Sequence, residues 1–408
     1  LTTKASNANE ALTKVTSRVI REGMPQSQVE TDKVLLFSSE NESRLMKNLH
    51  TYMTNKNMSF SIGTTKQKIS ISVALDATEK LGEGLTKLLV AMDNLPKLNN
   101  QQVAMKAAME AGQWQGVLQD TYSCSHQKLT ETLFDKDDLN HAVPPQVMMK
   151  QLKEVTMEGM TKFKNELFDS GRPFAVTILS NESFTVDELG KDVLLFWNKF
   201  HGDKRVMEHP FDDHSSPSMT IKPSMHLIPL KGKSDGHGVL GVRVGLDKNN
   251  PKWTHLSLAL NVFGSGMYSR LNKKLRIADG RTYGAYARLR GGQYSSDSYV
   301  HVFASFSNKS IKEDTEAMRN LWDEFVDYGI TKEEFTEAKM HMKNSLNVQM
   351  DNLTNLLGLS HNTLMNNKNL NLKTIVKRIS DSNYEDVQEV IKEHLKNKPV
   401  VTIIAGDV

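Results

Sequence analysis

The amino-acid sequence predicts an α+β protein made of two homologous domains in tandem. Three observations support this fold class: a duplicated heptapeptide, a duplicated apolar segment at the same spacing, and one order of strand-like and helix-like patterns between them. In each domain we expect an antiparallel-rich sheet with helices packed on one face. The 408 residues are also too many for one ordinary hydrophobic core, so the length agrees with more than one domain.

The duplication is visible at two separate places in the chain. The heptapeptide SRLMKNL begins at Ser43, and its counterpart SRLNKKL begins at Ser269. The apolar segment PFAVTILSN begins at Pro173, and its counterpart PVVTIIAGD begins at Pro399. Both pairs are separated by 226 residues. Two motifs that recur at one offset indicate a duplicated domain.

The patterns between these motifs follow the same order in both halves. KISISVAL at 68–75 and SYVHVFASF at 298–306 alternate in the period-two manner of half-buried strands. Each is followed by two segments with helical periodicity. Asn99 or Asn100 in the first half, and Thr331 in the second, are suited to cap the later of these two helices. Each half then closes with a further helix and an apolar strand.

We place the first repeat at residues 1–205, a linker at 206–224 and the second repeat at 225–408. The linker is rich in His, Asp, Ser and Pro, which is typical of a connecting segment. Residues 1–34 are polar and resemble a partly helical segment (NEALTKVTSRVIREG), so the first repeat is predicted to be truncated or divergent at its N-terminus. The second repeat opens instead with the alternating strand HGVLGVRVGLD and a helix from about Trp253.

Composition and charge argue against several classes of function. A net charge of +3, spread over 51 basic and 48 acidic residues, does not indicate the concentrated basic surface that binds nucleic acid. No run of 18 apolar residues occurs, so we expect no transmembrane segment. The single cysteine, Cys124, has no neighbouring base, and a packing role fits it better than a nucleophilic one.

The sequence contains no complete motif for zinc or for a nucleophile. Neither H-E-x-x-H nor H-x-x-E-H occurs, and His341 lies on a predicted helix without a partner at i+4. FGSGM, at 263–267, lacks the final glycine of a nucleophile elbow and is better interpreted as a helix-to-helix turn. A minor alternative is a metal site in the linker motif EHPFDDH, made of Glu208, His209, Asp212, Asp213 and His214. We therefore expect no metal and no catalytic base in this chain.

The segment KKLRIADGRTYGAYARL, residues 273–289, poses the main functional question. Arg276 lies at the end of a predicted helix, where a cation interacts favourably with the helix dipole. Gly280 suits the position after a helix, and Tyr283 suits a strand. These structural roles suffice for both residues on spacing alone. In the alternative, the turn between them brings Arg276 and Tyr283 to one functional point.

The longer stretch FGSGMYSRLNKKLRIADGRTYGAYARLRGG resembles the corresponding region of the inverzincin zinc peptidases, the family of pitrilysin, insulysin and the mitochondrial processing peptidase. A glycine turn, SRL, a helix ending in LR and a following tyrosine occur in the family's order. The tandem repeat and the terminal strand VTIIAGD fit the same family. The resemblance covers most of the chain and is strongest from Val239 to Val408.

The resemblance implies a fold and a role. Members of this family consist of two halves that close like a clamshell around a peptide chamber, and each half holds two α+β domains. The N-terminal half carries the zinc, and the C-terminal half contributes an arginine and a tyrosine that contact the substrate. Arg276 and Tyr283 fall on those two positions. On the resemblance we expect a non-zinc half, with zinc bound by a partner half in the same polypeptide or on a separate subunit.

The chain departs from the family pattern because it lacks the zinc motif, and Arg281 beside the pair could compete for its role. Two functions therefore remain open. In the first, the chain is the peptide-binding half of a zinc peptidase, inactive alone, and it adds extended peptides to a sheet edge. In the second, it is a non-proteolytic structural subunit, as the core subunits of respiratory complex III are. Burial of Arg276 and Tyr283 by packing would favour the second function.

Overall fold

The computed structural model describes the parts of the chain given at the end of this paragraph, and the predictions that concern SRLMKNL at 43–49 and EHPFDDH at 208–214 lie outside them. For 3–4, 10–18, 59–64, 68–76, 163–167, 174–180 and 372 the description is limited to the backbone. The described residues are 3–4, 10–18, 59–64, 68–76, 99–136, 138, 140–167, 174–180, 220–292, 297–350, 355–359, 361 and 372–408.

The chain divides into two compact units that are not simply its first and second halves. The first unit combines Leu1–Trp114, Gln146–Asp212 and Gln349–Lys368. The second combines Gln115–Pro145, Asp213–Val348 and Asn369–Val408. A segment from the first half of the sequence therefore belongs to the second unit, and a segment from the second half belongs to the first. The repeat boundaries drawn from the sequence stay a prediction.

Each unit is built on a five-stranded sheet, and both sheets have the same strand order. The first sheet runs β1-β5-β2-β4-β3 and the second runs β6-β10-β7-β9-β8. In each sheet the first strand along the chain is parallel to the last, and the other neighbouring pairs are antiparallel. The α+β fold class is confirmed. The strands are β1 (Thr3–Lys4), β2 (Glu10–Arg18), β3 (Ser59–Thr64), β4 (Lys68–Asp76), β5 (Phe174–Ser180), β6 (Ser224–Pro229), β7 (Asp235–Arg243), β8 (Ala285–Arg290), β9 (Tyr299–Ser307) and β10 (Val401–Gly406).

The first unit contains a strand where the sequence indicated a partly helical segment. β2 pairs with both β4 and β5, which is the central place that β7 holds in the second sheet. The helical interpretation of these residues was wrong. The composition explains the strand, because Thr13, Val15 and Thr16 are β-branched and favour an extended backbone. The first repeat therefore has a counterpart of the strand that opens the second.

Helices and one π-helix, Asn272–Ala278, complete the described elements. The predicted caps are confirmed, because two helices begin with the same reciprocal pair of hydrogen bonds. The Gln102 N–H donates to Asn99 Oδ1 at 2.9 Å, and the Glu334 N–H donates to Thr331 Oγ1 at 3.2 Å. The α-helices are α1 (Asn100–Val117), α2 (Thr121–Leu133), α3 (Pro145–Lys153), α4 (Met157–Leu167), α5 (Pro251–Gly264), α6 (Ile311–Tyr328), α7 (Lys332–Met350), α8 (Leu372–Asp381) and α9 (Tyr384–His394).

The second sheet is covered by helices on both faces. On one face α5, α6 and α9 form the main core, which includes the buried rings of Phe263, Trp322 and Phe325. On the other face α2 packs Leu129 against the sheet, where a Cβ on Gly241 would lie 2.2 Å from it. We expected helices on one face, and the structure adds α2 because that helix lies in the segment that joins the second unit. No helix among the described residues has the length and apolar character needed to span a membrane.

Candidate functional site

The two residues singled out by the resemblance lie at the end of the π-helix and in the loop after it. Arg276 is in the last turn of the π-helix, an element that is rare and often marks a functional site. Gly280, with φ of 64°, follows the helix end in the left-handed conformation, as expected. Tyr283 lies in the loop before β8 rather than in the strand, because β8 begins at Ala285.

The side chains of Arg276 and Tyr283 are not packed inside the fold. Tyr283 is 92% exposed, and Arg276 is exposed as well. Neither side chain forms a hydrogen bond or an ion pair with another described residue. Their guanidinium and phenol groups are therefore available to a ligand.

Arg281, the possible competitor, is engaged within the fold. Its Nη1 donates to Asp314 Oδ1 at 2.6 Å, and its Nε donates to Asp279 Oδ2 at 3.2 Å. The Asp314 carboxylate is 2% exposed and also accepts from Ser310 Oγ at 2.7 Å. The hydrogen bond with Asp314 raises the pKa of Arg281. Arg281 therefore satisfies a buried carboxylate, which separates its role from that of Arg276.

One buried amide connects the elements around the pair. Asn272 is 2% exposed, and its Nδ2 donates to Gly266 O at 2.9 Å and to Ala285 O at 3.0 Å. The Ala285 N–H donates back to Asn272 Oδ1 at 3.0 Å. Asn272 Nδ2 also lies 3.3 Å from Ser269 Oγ. Asn272 was not among the residues predicted from the sequence. The repeat does hold a signal for it, because SRLNKKL has Asn272 where SRLMKNL has Met46.

A surface cavity of about 350 Å³ lies between the GSG turn at 264–266 and α7. Its lining includes Met267, Tyr268 and Met340, all of which are exposed. His341 also lines this cavity and has no metal-ligating cluster around it among the described residues. The turn joins α5 to the helical residues that precede the π-helix, so the helix-to-helix interpretation of FGSGM is confirmed.

The metal-ligating side chains and the single cysteine were the other candidates for chemistry in the part of the chain that the structure describes. No group of three or more His, Cys, Asp or Glu side chains there is placed to hold a metal ion. The half-buried Cys124 thiol lies 3.4 Å from Val117 O and 3.5 Å from Leu118 O. Burial raises the pKa of this thiol, which disfavours the reactive thiolate. These contacts agree with a packing role for Cys124.

A second polar cluster, which the sequence analysis did not single out, lies on the α2 face of the second sheet. His301 of β9 is fully buried, and neither ring nitrogen has a hydrogen-bond partner among the described residues. Its ring stacks on Phe303 at 4.7 Å and lies 5.0 Å from the ring of His126. Burial, together with the nearby His126, Arg290 and Arg288, lowers the pKa of His301 to about 2. His301 is therefore a neutral packing residue and not a base at physiological pH.

Comparison with protein families finds a match for part of the second half of the chain. Residues 210–342 match the family model described as the peptidase M16 inactive domain. This part of the chain is similar to a peptidase M16 inactive domain. The match includes the π-helix with Arg276, the loop with Tyr283 and the amide of Asn272. It confirms the predicted relation to the non-zinc half of this peptidase family.

One curated relative is similar to part of the chain. The chain is 24% identical over 136 residues to the "non-peptidase homolog YmxG" of Helicobacter pylori. That alignment covers 33% of this chain and 31% of the relative, so the chain matches about a third of the relative's length.

Solved structures show that the whole chain has the M16 fold. The M16 inactive domain from Pseudomonas fluorescens superposes with a TM-score of 0.82 at 14% identity, covering 100% of this chain and 95% of that one. The periplasmic protease PqqL from Escherichia coli superposes with a TM-score of 0.72 at 12% identity, covering 99% of this chain and 44% of that one. This chain therefore corresponds in fold to less than half of PqqL.

Proposed function

We propose that this M16 inactive domain is the peptide-binding half of a zinc metalloendopeptidase. It works with a zinc-bearing half, located in the same polypeptide or in a separate subunit. Arg276 and Tyr283 hold a carbonyl group of the substrate close to that metal. The observation that carries the proposal is the exposure of both side chains on one short segment, without any partner among the described residues.

The chemistry of the two groups suits a peptide carbonyl. A guanidinium and a phenol are hydrogen-bond donors, and the guanidinium is always charged. Donors of this kind bind the carbonyl oxygen more strongly as it becomes an oxyanion, so they stabilise the transition state. Zinc in the partner half supplies the activated water for the attack. The contribution of this chain is to hold and polarise the substrate.

The described geometry limits how a peptide approaches β8. Among the described strands, β8 lies at the edge of its sheet and pairs with β9 alone. At Ala285, however, both the N–H and the C=O are already bonded to Asn272. An extended peptide therefore cannot pair with the backbone at Ala285, although strand addition is the general mode that we expected. We propose that side-chain contacts from Arg276 and Tyr283 dominate at this point.

A second candidate function is a non-proteolytic structural subunit. The relative that carries the name of a non-peptidase homolog favours this alternative. In that case the pair makes no contribution to hydrolysis, and the fold serves assembly. The exposure of Arg276 and Tyr283 argues against it, because a purely structural role offers no reason to leave both groups unpaired.

Hydrolysis of a quenched, unstructured peptide tests the proposal. The chain is assayed alone and mixed with its zinc-bearing half, and then as the variants Arg276→Ala and Tyr283→Phe. We expect hydrolysis only in the mixture, reduced by about 100-fold in each variant, because one oxyanion donor contributes that much to the rate. Association of the two halves should not change. Arg288→Ala is the matched control, since Arg288 is exposed on β8 and lies over the ring of Tyr286.

Three results are possible and each has a clear meaning. Loss in both pair variants, with the Arg288→Ala mixture within about twofold of the wild type, supports the peptide-binding half. An active mixture that is indifferent to both pair variants refutes the proposed role of the pair. Activity in the chain alone would locate a metal site in this polypeptide and refute the division of labour between two halves.

A further inference from the structure

The side chain of Asn272 connects the segment that carries Arg276 with the segment that carries Tyr283. Asn272 is the first residue of the π-helix, four residues before Arg276. Its amide bonds both backbone polar groups of Ala285, two residues after Tyr283. One amide therefore bridges the two sides of the loop.

The same amide also anchors the GSG turn. Asn272 Nδ2 donates to Gly266 O at 2.9 Å, and Ser269 Oγ donates to the same carbonyl oxygen at 2.9 Å. Gly266 has φ of 85°, a conformation that favours glycine. A single buried side chain thus forms hydrogen bonds from the π-helix to both the turn and the start of β8.

Packing alone does not call for an amide at this position. The neighbours Leu271 and Leu275 are fully buried and apolar. In the first repeat the equivalent residue is Met46, so the heptapeptide accepts an apolar side chain there. Burying an amide is costly unless its donors and acceptor are all bonded, as they are here. The amide is found in the repeat that also has Arg276 and Tyr283.

We propose that Asn272 is a positioning residue that fixes Arg276 and Tyr283 in the geometry that binds a peptide carbonyl. This inference rests on the proposed function. Asn272 itself, being buried, does not touch the substrate. Its removal leaves both donors in place but allows the π-helix and the loop to move independently, so the pair no longer converges on one oxygen atom.

Peptide binding by the full chain tests this role through a thermodynamic cycle. The probe is a fluorescein-labelled unstructured peptide, and the readout is its Kd by fluorescence anisotropy. In the wild-type background we expect Arg276→Ala to raise the Kd about tenfold, as for a hydrogen bond to a charged group. Tyr283→Phe should raise it by a smaller factor, and the double variant by less than the product of the two, because both donors act on one carbonyl.

The Asn272→Met variant carries the residue found in the first repeat, and we expect it to have a raised Kd. Adding Arg276→Ala or Tyr283→Phe to this variant should change the Kd by less than a further twofold. Ser298→Ala is the stability control. It removes the buried hydrogen bond from the Leu246 N–H to Ser298 Oγ. This bond lies just before β9, at the end of that strand that is far from the loop. We expect the coupling between Arg276 and Tyr283 to survive in that background.

The outcomes separate this inference from the function on which it rests. If the pair matters in the wild type and keeps its full effect in Asn272→Met, the positioning role is refuted and the proposed function stands. If the pair has no effect on binding in the wild type, both are refuted. If circular dichroism shows that Asn272→Met does not fold, Asn272→Asp replaces it, since it keeps the acceptor for the Ala285 N–H and loses the donors.

Discussion

Replacing His301 by phenylalanine should remove a large part of the acid sensitivity of the second unit. His301 is buried on the α2 face, and burial lowers its pKa to about 2 from an ordinary value of 6.5. The cationic and titratable groups around it are His126 and Tyr122 of α2, His237 of β7, Arg288 and Arg290 of β8, and Tyr299 of β9. Protonating the ring in the folded state would add a charge to this buried, electropositive site.

The direction and size of the effect follow from proton linkage. Below pH 6.5 the unfolded chain binds a proton at His301 and the folded chain does not. The free energy of unfolding is therefore not reduced by this residue above that pH, and it decreases as the pH falls below it. The loss is about 1.4 kcal/mol per pH unit, which gives about 2 kcal/mol at pH 5.0. Any folded-state pKa below about 4 gives the same result at pH 5.0.

Hydrogen exchange of the β9 amides measures this change within the unit concerned. After correction for intrinsic exchange, protection in the wild type should fall about 30-fold more between pH 7.5 and pH 5.0 than in His301→Phe. Phenylalanine preserves the stacking on Phe303 and contains no ring nitrogen to leave unpaired. His341→Gln is the control, because His341 is exposed on α7. Equal losses in the wild type and in His301→Phe would refute the reasoning.

Three further predictions concern stability and are checked by urea unfolding at pH 7.5. Arg281→Ala should cost about 2 kcal/mol because it strips the buried Asp314 of its partner, whereas Arg276→Ala should cost less than about 0.5 kcal/mol; equal costs would contradict the separation of the two arginines. Thr331→Ala should cost about 1 kcal/mol by removing a helix cap, and a neutral result would contradict the observed capping. Gly264→Ala should cost about 2 kcal/mol or more, because the new Cβ would meet the Ala287 nitrogen at 2.4 Å, and a stabilised variant would contradict that contact.

Local patterns in the sequence determined the elements and their order. The duplicated motifs predicted two related α+β repeats, and the two sheets share one strand order. The caps at Asn99 and Thr331, and the helix end at Gly280, were also predicted. Each depends on residues within about four positions, where spacing specifies the hydrogen bonds directly. β2 was missed because a weak helical pattern was preferred over its β-branched composition.

Only the tertiary structure decided which polar residues are free and which are engaged. Arg276 and Arg281 look alike in the sequence, but Arg281 reaches Asp314, 33 residues away, while Arg276 has no partner among the described residues. The bonds of Asn272 to Ala285 and the burial of His301 beneath α2 likewise depend on the path of the chain. Residues 115–145 join the second unit, which no local pattern indicates. Periodicity and caps are set by near neighbours, whereas these contacts are set by how distant segments pack.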